Sequence, residues 1–230
     1  MSDPTPAVLE VRDVTCSADG HALCGLSLRF GAGAFHLIAG GPASLRGALL
    51  RVLGLLDAPS CGEVFFEGGN IASLPEPERD KIRNQRCGFL FAAPFLLPAF
   101  SVIENIAMPH FKISQVNPEQ ARERADLLLD FTGLTADAQR PAEDLVPYQQ
   151  HAVSLARALA NEPAVITVES LDSGLAPEDA ACFAGLLRQC CTRFGVAVIA
   201  SASGDFAAEP GDRVIDIAAG RPLPEGEPFA

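Results

Sequence analysis

Two short apolar runs constrain the fold more than any other feature of this sequence. Residues 164–168 read AVITV and residues 196–200 read VAVIA, and both are rich in β-branched side chains. Continuous runs of this kind are typical of strands that are buried on both faces, as in parallel sheets. A predicted helix, Pro177–Phe194, lies between them and is followed by Gly195. Strand, helix and strand in this order predict an α/β fold with a largely parallel sheet.

The N-terminal part of the chain predicts a second layer of strands. Short apolar runs there are broken by Asp19-Gly20 and by Gly31-Ala32-Gly33, and we expect them to form an antiparallel layer. The runs are residues 9–15, residues 26–30 and Phe35–Ala39. Two further strands are predicted at residues 63–67 and 88–91.

Three more helices are predicted, at residues 47–56, Pro118–Thr132 and 148–160. The first is apolar on nearly all sides, so we expect it to be buried. The second begins with a proline and stops at Gly133, as helices commonly do. Since no strand pattern occurs from residue 118 to 159, we expect a helical lobe at about residues 93–160, within a single domain of residues 1–230. Residues 1–6 and 222–230 are expected to be tails.

Composition excludes several classes of partner. The chain of 230 residues has a net charge of −12, which argues against nucleic acid or an anionic lipid surface. No run of 18 apolar residues predicts a membrane span, and the N-terminal residues carry no secretory signal pattern. The seven cysteines include no C-x-x-C pair and are interpreted as reduced core residues of a cytoplasmic protein. The four histidines show no ligand spacing, so no metal site is predicted.

A glycine-rich loop, GGPASLRGA at residues 40–48, lies between a predicted buried strand and a predicted helix. Loops at this position hold phosphate in many proteins, because backbone N–H groups and a helix N-terminus point at the anion. Taken alone, this stretch resembles an ordinary strand-to-helix turn.

The middle of the chain, RNQRCGFLFAAPFLLPAFSVIENIAMP at residues 83–109, closely resembles the nucleotide-binding subunits of ATP-binding-cassette (ABC) transporters. The most similar branch is that of lipoprotein-release, macrolide-export and cell-division cassettes. VLGLLDAPSCGEVFFEG (52–68), VSLARALANEPAVI (153–166) and GDRVIDIAAGR (211–221) resemble further family segments. The likeness covers about residues 8–222. It implies a P-loop ABC cassette with a mostly parallel core sheet, an antiparallel β layer and a helical lobe.

The resemblance also shows where the sequence departs from the family. The family's phosphate loop reads G-x-x-G-x-G-K-S/T, in which the lysine neutralises phosphates and the hydroxyl holds Mg²⁺. The corresponding positions here are Gly40, Ala43, Leu45, Arg46, Gly47 and Ala48. Leu45 is expected to occupy space that the phosphate needs, and the planar guanidinium of Arg46 does not fit a site made for an ammonium.

The other family positions depart in the same way. No aromatic residue that would stack on adenine occurs near residues 16–18, and Ala92 replaces the glutamine near the attacking water. The signature Leu-Ser-Gly-Gly-Gln becomes Leu145 followed by Val146, Pro147, Tyr148 and Gln149. Glu169 replaces the Mg²⁺-side aspartate, Ser170 the catalytic glutamate, Ala176 a later aspartate and Ser203 the γ-phosphate histidine.

These departures imply a chain that does not hydrolyse ATP, because little besides lysine, Mg²⁺ and base supplies the catalysis. The lost phosphate-loop contacts are expected to cost about 5–8 kcal/mol, at about 1.5–3 kcal/mol for each charge-assisted hydrogen bond. Such a loss turns micromolar affinity into worse than millimolar. No cofactor is therefore expected, with weak or absent Mg-ATP binding.

Two local hypotheses follow. Arg46 and Glu169 are predicted to form an ion pair in the emptied pocket. Leu45, Val146, Pro147 and Tyr148 are predicted either to form an apolar dimer contact in place of nucleotide or, for Val146 and Tyr148, to be partly exposed without a role.

The stretch at residues 94–111 lies where the family meets its membrane subunit. It is interpreted as a docking surface for a permease, carried by Phe95, Leu96, Leu97 and Phe100, or alternatively as core of the helical lobe.

The resulting hypothesis is a non-hydrolysing cassette subunit, structural or regulatory, that docks to a permease at the inner face of the cell membrane. It would form a homodimer or a heterodimer with another cassette. One alternative is an active ATP-binding subunit that uses Arg46 and Glu169 as unorthodox ligands. The other is a soluble scaffold that has left transport. No feature of the sequence names a cargo.

Overall fold

The computed structural model describes residues 7–203, 206–218 and 221–222. The strands are β1 (Ala7–Ala18), β2 (His21–Gly31), β3 (Phe35–Ala39), β4 (Cys61–Phe66), β5 (Gly69–Asn70), β6 (Cys87–Leu90), β7 (Val165–Val168), β8 (Ala197–Ser201), β9 (Arg213–Asp216) and β10 (Arg221–Pro222). The α-helices are α1 (Ala43–Leu53), α2 (Glu76–Arg86), α3 (Val102–Ile113), α4 (Pro118–Thr132), α5 (Pro147–Leu159) and α6 (Pro177–Phe194). Three 3-10 turns, Ile71–Ser73, Thr135–Asp137 and Ala142–Asp144, complete the description.

The strands form two sheets. A four-stranded antiparallel sheet has the order β2-β1-β4-β5, and a six-stranded sheet has the order β10-β9-β3-β8-β7-β6. In the six-stranded sheet the pairs from β9 to β6 are parallel, and β10 is antiparallel to β9. The predicted α/β class, with a parallel core sheet and an antiparallel layer, is confirmed.

The prediction that Phe35–Ala39 belongs to the antiparallel layer is wrong. This strand pairs in parallel with both β8 and β9. Four of its five residues are buried, which is the environment of a central parallel strand rather than of a sheet with one solvated face. The turn at residues 31–33 carries the chain from one sheet to the other, with the Gly33 N–H donating to the carbonyl of Gly195 at 3.0 Å.

The parallel sheet is buried on both faces, and each face has its own core. One face, with Ile38 and Ile199, packs with α1 against the antiparallel sheet. The other face, with Leu37 and Val198, packs against the helices α3, α4, α5 and α6. Because successive side chains of a strand alternate between faces, β3 contributes to both cores. This arrangement fixes the loop between β3 and α1 at the carboxyl edge of the sheet.

The helices end where the sequence provides stop and start signals. Ser101 and Glu104 form a capping box at α3, and Asn117 and Gln120 form one at α4, each satisfying two free backbone N–H groups. The helix Pro118–Thr132 is confirmed, and Gly133 follows it in the left-handed conformation at φ 72°. Helix α1 differs from the prediction, since it begins at Ala43 and not at residue 47.

The expected tails at residues 1–6 and 222–230 lie outside the described residues, except for Pro222 in β10. In the part of the chain that is described, no helix is long and apolar enough to cross a bilayer. The interpretation of the cysteines as core residues holds for Cys16, Cys190 and Cys191, whereas Cys24 and Cys61 are among the exposed ones because they lie on the solvent face of the antiparallel sheet.

Candidate functional site

The loop after β3 keeps a backbone that only glycine allows at its first position. Gly40 and Gly41 have φ angles of 70° and 61°, in the left-handed region that glycine enters without strain. A Cβ on Gly40 would lie 2.0 Å from Oδ1 of Asp216. The Asp216 carboxylate is held there by the N–H of Ala218 at 2.8 Å. The close approach of this loop to the end of β9 therefore depends on Gly40.

Leu45 does not lie in the loop. It is on the first turn of α1 and only 5% exposed, and it belongs to the core between the two sheets. The expectation that its side chain occupies phosphate space is wrong, because the helix begins four residues earlier than predicted and directs Leu45 inward. Ala43 and Ala48, which also lie on α1, are exposed and half-buried, respectively.

Arg46 turns back onto the loop that precedes it. Its Nη1 donates to the carbonyl of Gly41 at 2.7 Å and to that of Gly40 at 3.2 Å. Side chains on a helix lean towards its N-terminus, which brings the guanidinium over the loop. Its Nε is buried without a hydrogen-bond partner among the described atoms.

The predicted Arg46–Glu169 ion pair is wrong. No carboxylate of the described residues lies within 4.0 Å of the Arg46 guanidinium. Glu169 instead lies against Gly47, and a Cβ built on that glycine would be 2.9 Å from Oε1 of Glu169. The Glu169 N–H donates to the carbonyl of Leu90 at 2.8 Å, so the end of β7 fixes the root of this side chain.

The negative charge of Glu169 also affects Arg51, on the next turn of α1. The pKa of Arg51 is raised, chiefly by its hydrogen bond to Asp57, with a smaller contribution from the charge of Glu169. Glu169 is therefore directed at helix α1, on the side of Gly47 and Arg51.

Hydrogen bonds join the loops that follow β7 and β8. The Ser170 N–H donates to Oγ of Ser201 at 3.0 Å, and Ser170 has a φ of 49°. The Ser203 N–H donates to both carboxylate oxygens of Asp172, each at 3.1 Å. The two sequence-predicted positions Ser170 and Ser203 are thus held in place through their backbone N–H groups.

A cavity of about 30 Å³ remains between the loop after β3 and the loop after β8. Gly40, Arg46, Ser203 and Phe206 are among its lining residues. This volume is roughly what one or two water molecules need. The structure thus brings Gly40, Arg46 and Ser203 around one small space, while Gly47 and Glu169 contact each other beside it.

The predicted docking residues do not share one environment. Phe95 is 68% exposed, Leu97 41% and Phe100 40%, and we call these three residues the apolar patch. Leu96 is half-buried and packs against the core of the helices, which is the environment that the alternative interpretation, core of the helical lobe, predicts. Ala92, just before this segment, is half-buried.

Arg157 of α5 fixes the backbone beneath the apolar patch. Its Nη1 donates to the carbonyl of Phe95 at 2.8 Å and its Nη2 to that of Pro94 at 2.9 Å. Burial lowers the pKa of this guanidinium, which is the cost of placing it beneath the segment.

The start of α5 carries the altered signature. Val146 is 59% exposed and Pro147 is the first helical residue. Tyr148 packs partly against the helical core, and Gln149 donates from Nε2 to Oδ2 of Asp137 at 2.9 Å. The apolar contact predicted for Leu45, Val146, Pro147 and Tyr148 is wrong at Leu45, since that side chain is buried elsewhere.

Two carboxylates of the site were not predicted from the sequence. Asp216 lies against Gly40, and Asp172 holds the Ser203 N–H across a separation of 31 residues. Asp172 gives no local signal of this contact. Asp216 lies in the segment that resembles the family's closing hairpin, but nothing there indicates its neighbour.

Comparisons with known proteins agree with this geometry. The family model for "ABC transporter" matches residues 23–169, more than half of the chain. The lipoprotein-releasing system ATP-binding protein LolD of Acinetobacter baylyi is 33% identical over 213 residues, which is 90% of this chain and 93% of that protein. LolD of Paramagnetospirillum magneticum is 35% identical over 203 residues, 88% of this chain and 89% of that one.

Solved structures show the same fold. CbiO1 from Clostridium perfringens, part of an ABC transporter complex, matches with a TM-score of 0.83 at 23% identity, over 95% of this chain and 87% of that one. The dimeric ATP-binding cassette MJ0796 bound to ADP and Pi matches with a TM-score of 0.75 at 26% identity, over 90% and 93% of the two chains. The chain therefore belongs to the ABC transporter family, as an ATP-binding-cassette subunit of the branch that includes the lipoprotein-releasing LolD proteins.

Proposed function

We propose that this chain is a non-hydrolysing cassette subunit, structural or regulatory, in a transport system of the lipoprotein-releasing kind. The observation that carries the proposal is the contact between Glu169 and Gly47, with Arg46 bonded to the loop's own carbonyls. The Arg46 guanidinium is thereby hydrogen-bonded within the protein, and the Glu169 carboxylate lies against helix α1.

Mg-ATP does not fit these residues in the way the family resemblance implies. Position 47 has no hydroxyl to hold the metal ion, and the carboxylate oxygen Oε1 of Glu169 lies 2.9 Å from the point where a side chain at that position would begin. The Arg46 guanidinium would have to leave two carbonyl acceptors to meet a phosphate. Each of these changes adds a cost to nucleotide binding.

Hydrolysis needs a group that orients the attacking water, and the corresponding position is Ser170. A serine hydroxyl is not a base at neutral pH. The Ser170 and Ser203 backbones are tied to Ser201 and Asp172, and neither serine replaces the carboxylate or imidazole of the family. We therefore propose that no ATP turnover occurs at this subunit.

The docking role is supported by a surface separate from the phosphate loop. A groove of about 230 Å³ lies between the end of α1, α2, β6, α3 and α5. Leu56, Phe89 and Ile113 give it apolar walls, and its charged lining residues are Arg83 and Arg157. Since Arg157 also holds the backbone of Phe95, the groove and the apolar patch share one rigid support. We propose that a permease segment binds here and keeps the chain at the inner face of the membrane, as a homodimer or with a second cassette.

A second candidate function is an active ATP-binding subunit with unorthodox ligands. Its supporting observation is that the Glu169 carboxylate forms no ion pair with the described residues and is therefore available to a cation. The left-handed Gly40 and Gly41 also keep the loop's backbone form.

Titration of Mg-ATP against the purified chain separates the two candidates. We expect a dissociation constant above about 1 mM and phosphate release at the level of the Ser170→Ala variant, which serves as the control for contaminating ATPase. Micromolar Mg-dependent binding, together with turnover that Glu169→Gln abolishes, would establish the second candidate instead.

A further inference from the structure

Helix α1 carries a glycine where nearly any other residue would favour the helix. Gly47 lies inside Ala43–Leu53 and is buried. Glycine in a helix interior is unfavourable because it loses more backbone freedom on folding than other residues do. Its φ is not in the left-handed region, so backbone conformation gives no reason for a glycine at this position. The side chain that Gly47 contacts gives one.

That side chain belongs to Glu169. A Cβ on Gly47 would lie 2.9 Å from Oε1 and 3.8 Å from Cδ of Glu169. At an approach below 3.0 Å the carboxylate, which is the far end of a flexible side chain, must turn away from α1. The main chain of Glu169 is fixed, because its N–H donates to the Leu90 carbonyl between neighbouring parallel strands. The contact is therefore steric, with no ion pair to Glu169 among the described residues to explain the position of the carboxylate.

We propose that Gly47 and Glu169 are a matched steric pair that closes the metal side of the loop, meaning the space between these two residues. Glutamate is one methylene longer than aspartate, and glycine lacks the Cβ that serine or threonine would bring. A long acid facing glycine and a short acid facing a hydroxyl residue are two alternative ways to fill the same space. The inference rests on the proposed function for its consequence, which is that this space does not admit a metal ion.

The pair predicts that alanine at position 47 affects the thermal unfolding midpoint differently from alanine at another helical glycine. Alanine in place of a helical glycine normally stabilises a protein. Gly185 of α6 is the matched control, because a Cβ added there would meet no atom of the described residues within 4 Å. We expect Gly185→Ala to raise the thermal unfolding midpoint by about 1–4 °C. We expect Gly47→Ala to forfeit this gain and to change the midpoint by less than about 1 °C, because the added Cβ displaces the Glu169 carboxylate from α1.

Shortening the acid should restore the gain. In the Glu169→Asp background, Gly47→Ala should raise the midpoint as Gly185→Ala does, since the carboxylate no longer meets the Cβ. In the natural background, a gain from Gly47→Ala equal to that from Gly185→Ala overturns the steric pair, as does the same effect of Gly47→Ala in both backgrounds. Coupling of this kind is expected only for residues in direct contact.

Mg-ATP is the probe for closure of the metal side. We expect 5 mM Mg-ATP to leave the unfolding midpoint of the unchanged chain where it is. The triple variant Arg46→Lys, Gly47→Ser, Glu169→Asp should gain a shift of about 2 °C or more. No gain in the triple variant overturns closure by this pair. A shift in the unchanged chain overturns both the closure and the proposed function, whereas the alanine comparison judges the steric pair independently of nucleotide.

Discussion

At the scale of single residues, His36 is a buried titratable group that the candidate site does not use. It lies on β3, is 1% exposed, and its Nε2 has no hydrogen-bond partner among the described atoms. Its ring meets that of Phe30 edge to face, with centroids 4.9 Å apart. Burial, with a smaller effect from the charge of Arg213, lowers its pKa from 6.5 to about 4. The folded protein therefore holds this imidazole neutral.

Protonation of His36 should make stability depend on pH. Between pH 6.5 and about 4 the unfolded chain binds a proton at this residue and the folded chain does not, so the free energy of unfolding falls as pH falls. The difference between the two pKa values corresponds to about 3 kcal/mol. We expect urea unfolding at pH 7, 5.5 and 4 to show this loss in the natural chain and a flatter profile in His36→Leu.

The exposed His21 provides the control for removing a histidine as such. His21→Leu should follow the natural chain at each pH. If the profiles of His36→Leu and the natural chain are parallel, His36 does not couple folding to protons.

At the scale of elements, an ion cluster ties α6 to the segment before β9. Arg188 donates from Nε and Nη2 to the two oxygens of Asp212, at 2.9 and 2.7 Å, and from Nη1 to Glu209 at 2.8 Å. The Asp212 side chain is only 3% exposed. The guanidinium also lies 5.1 Å from the centroid of the Phe35 ring. The cluster thereby fixes Glu209 and Asp212, just before the strand whose last residue contacts Gly40.

Removing one partner of this pair should be costly. Arg188→Leu leaves the Asp212 carboxylate buried without its cation, and we expect a loss of about 3–5 kcal/mol in the free energy of unfolding. The double variant Arg188→Leu, Asp212→Leu should recover much of it, because no charge then stays buried. Urea denaturation measures both.

An exposed ion pair gives the matched comparison. Arg122 and Asp126 on α4 are 3.9 Å apart, with both side chains more than half exposed. Arg122→Leu should change stability by less than about 1 kcal/mol. Equal effects at the two arginines would show that burial does not decide the strength of the Arg188 contact.

The sequence predicts elements well where their ends carry local signals. Pro118, Gly133 and Gly195 mark helix ends that the structure confirms. The β-branched runs of β7 and β8 indicate burial on both faces, and both strands are buried. These signals depend on the chemistry of neighbouring residues only, so a single sequence contains them.

Sheet membership and side-chain direction depend on distant partners, and there the sequence is insufficient. The strand β3 is apolar in either sheet, and only its pairing with β8 and β9 distinguishes them. Helix α1 begins at Ala43, so Leu45 and Arg46, interpreted as loop residues, lie on its first turn and point in helical directions. The positions of the candidate site are predictable by resemblance, whereas the Gly47–Glu169 contact is not.

At the scale of the whole molecule, the apolar patch places three exposed large apolar side chains within one short segment. Phe95 is 68% exposed and has a φ of 44°, a conformation that is strained for a bulky side chain. Arg157 donates hydrogen bonds to the carbonyls of both Pro94 and Phe95. A strained backbone that presents an aromatic ring to solvent supports the proposed docking role.

Replacing Phe95 should therefore separate permease docking from stability. Asparagine tolerates the left-handed region, so Phe95→Asn relieves strain while it loses the edge-to-face contact with Phe91, whose centroid is 5.5 Å away. We expect the two effects to offset within about 1 kcal/mol. Association with membranes of the native host, measured by sedimentation with added excess natural chain as competitor, should weaken about tenfold or more.

Leu127→Asn is the control, at an exposed leucine of α4 outside the apolar patch. This variant should sediment as the natural chain does. Retention of Phe95→Asn on membranes would place the docking contact elsewhere on the molecule.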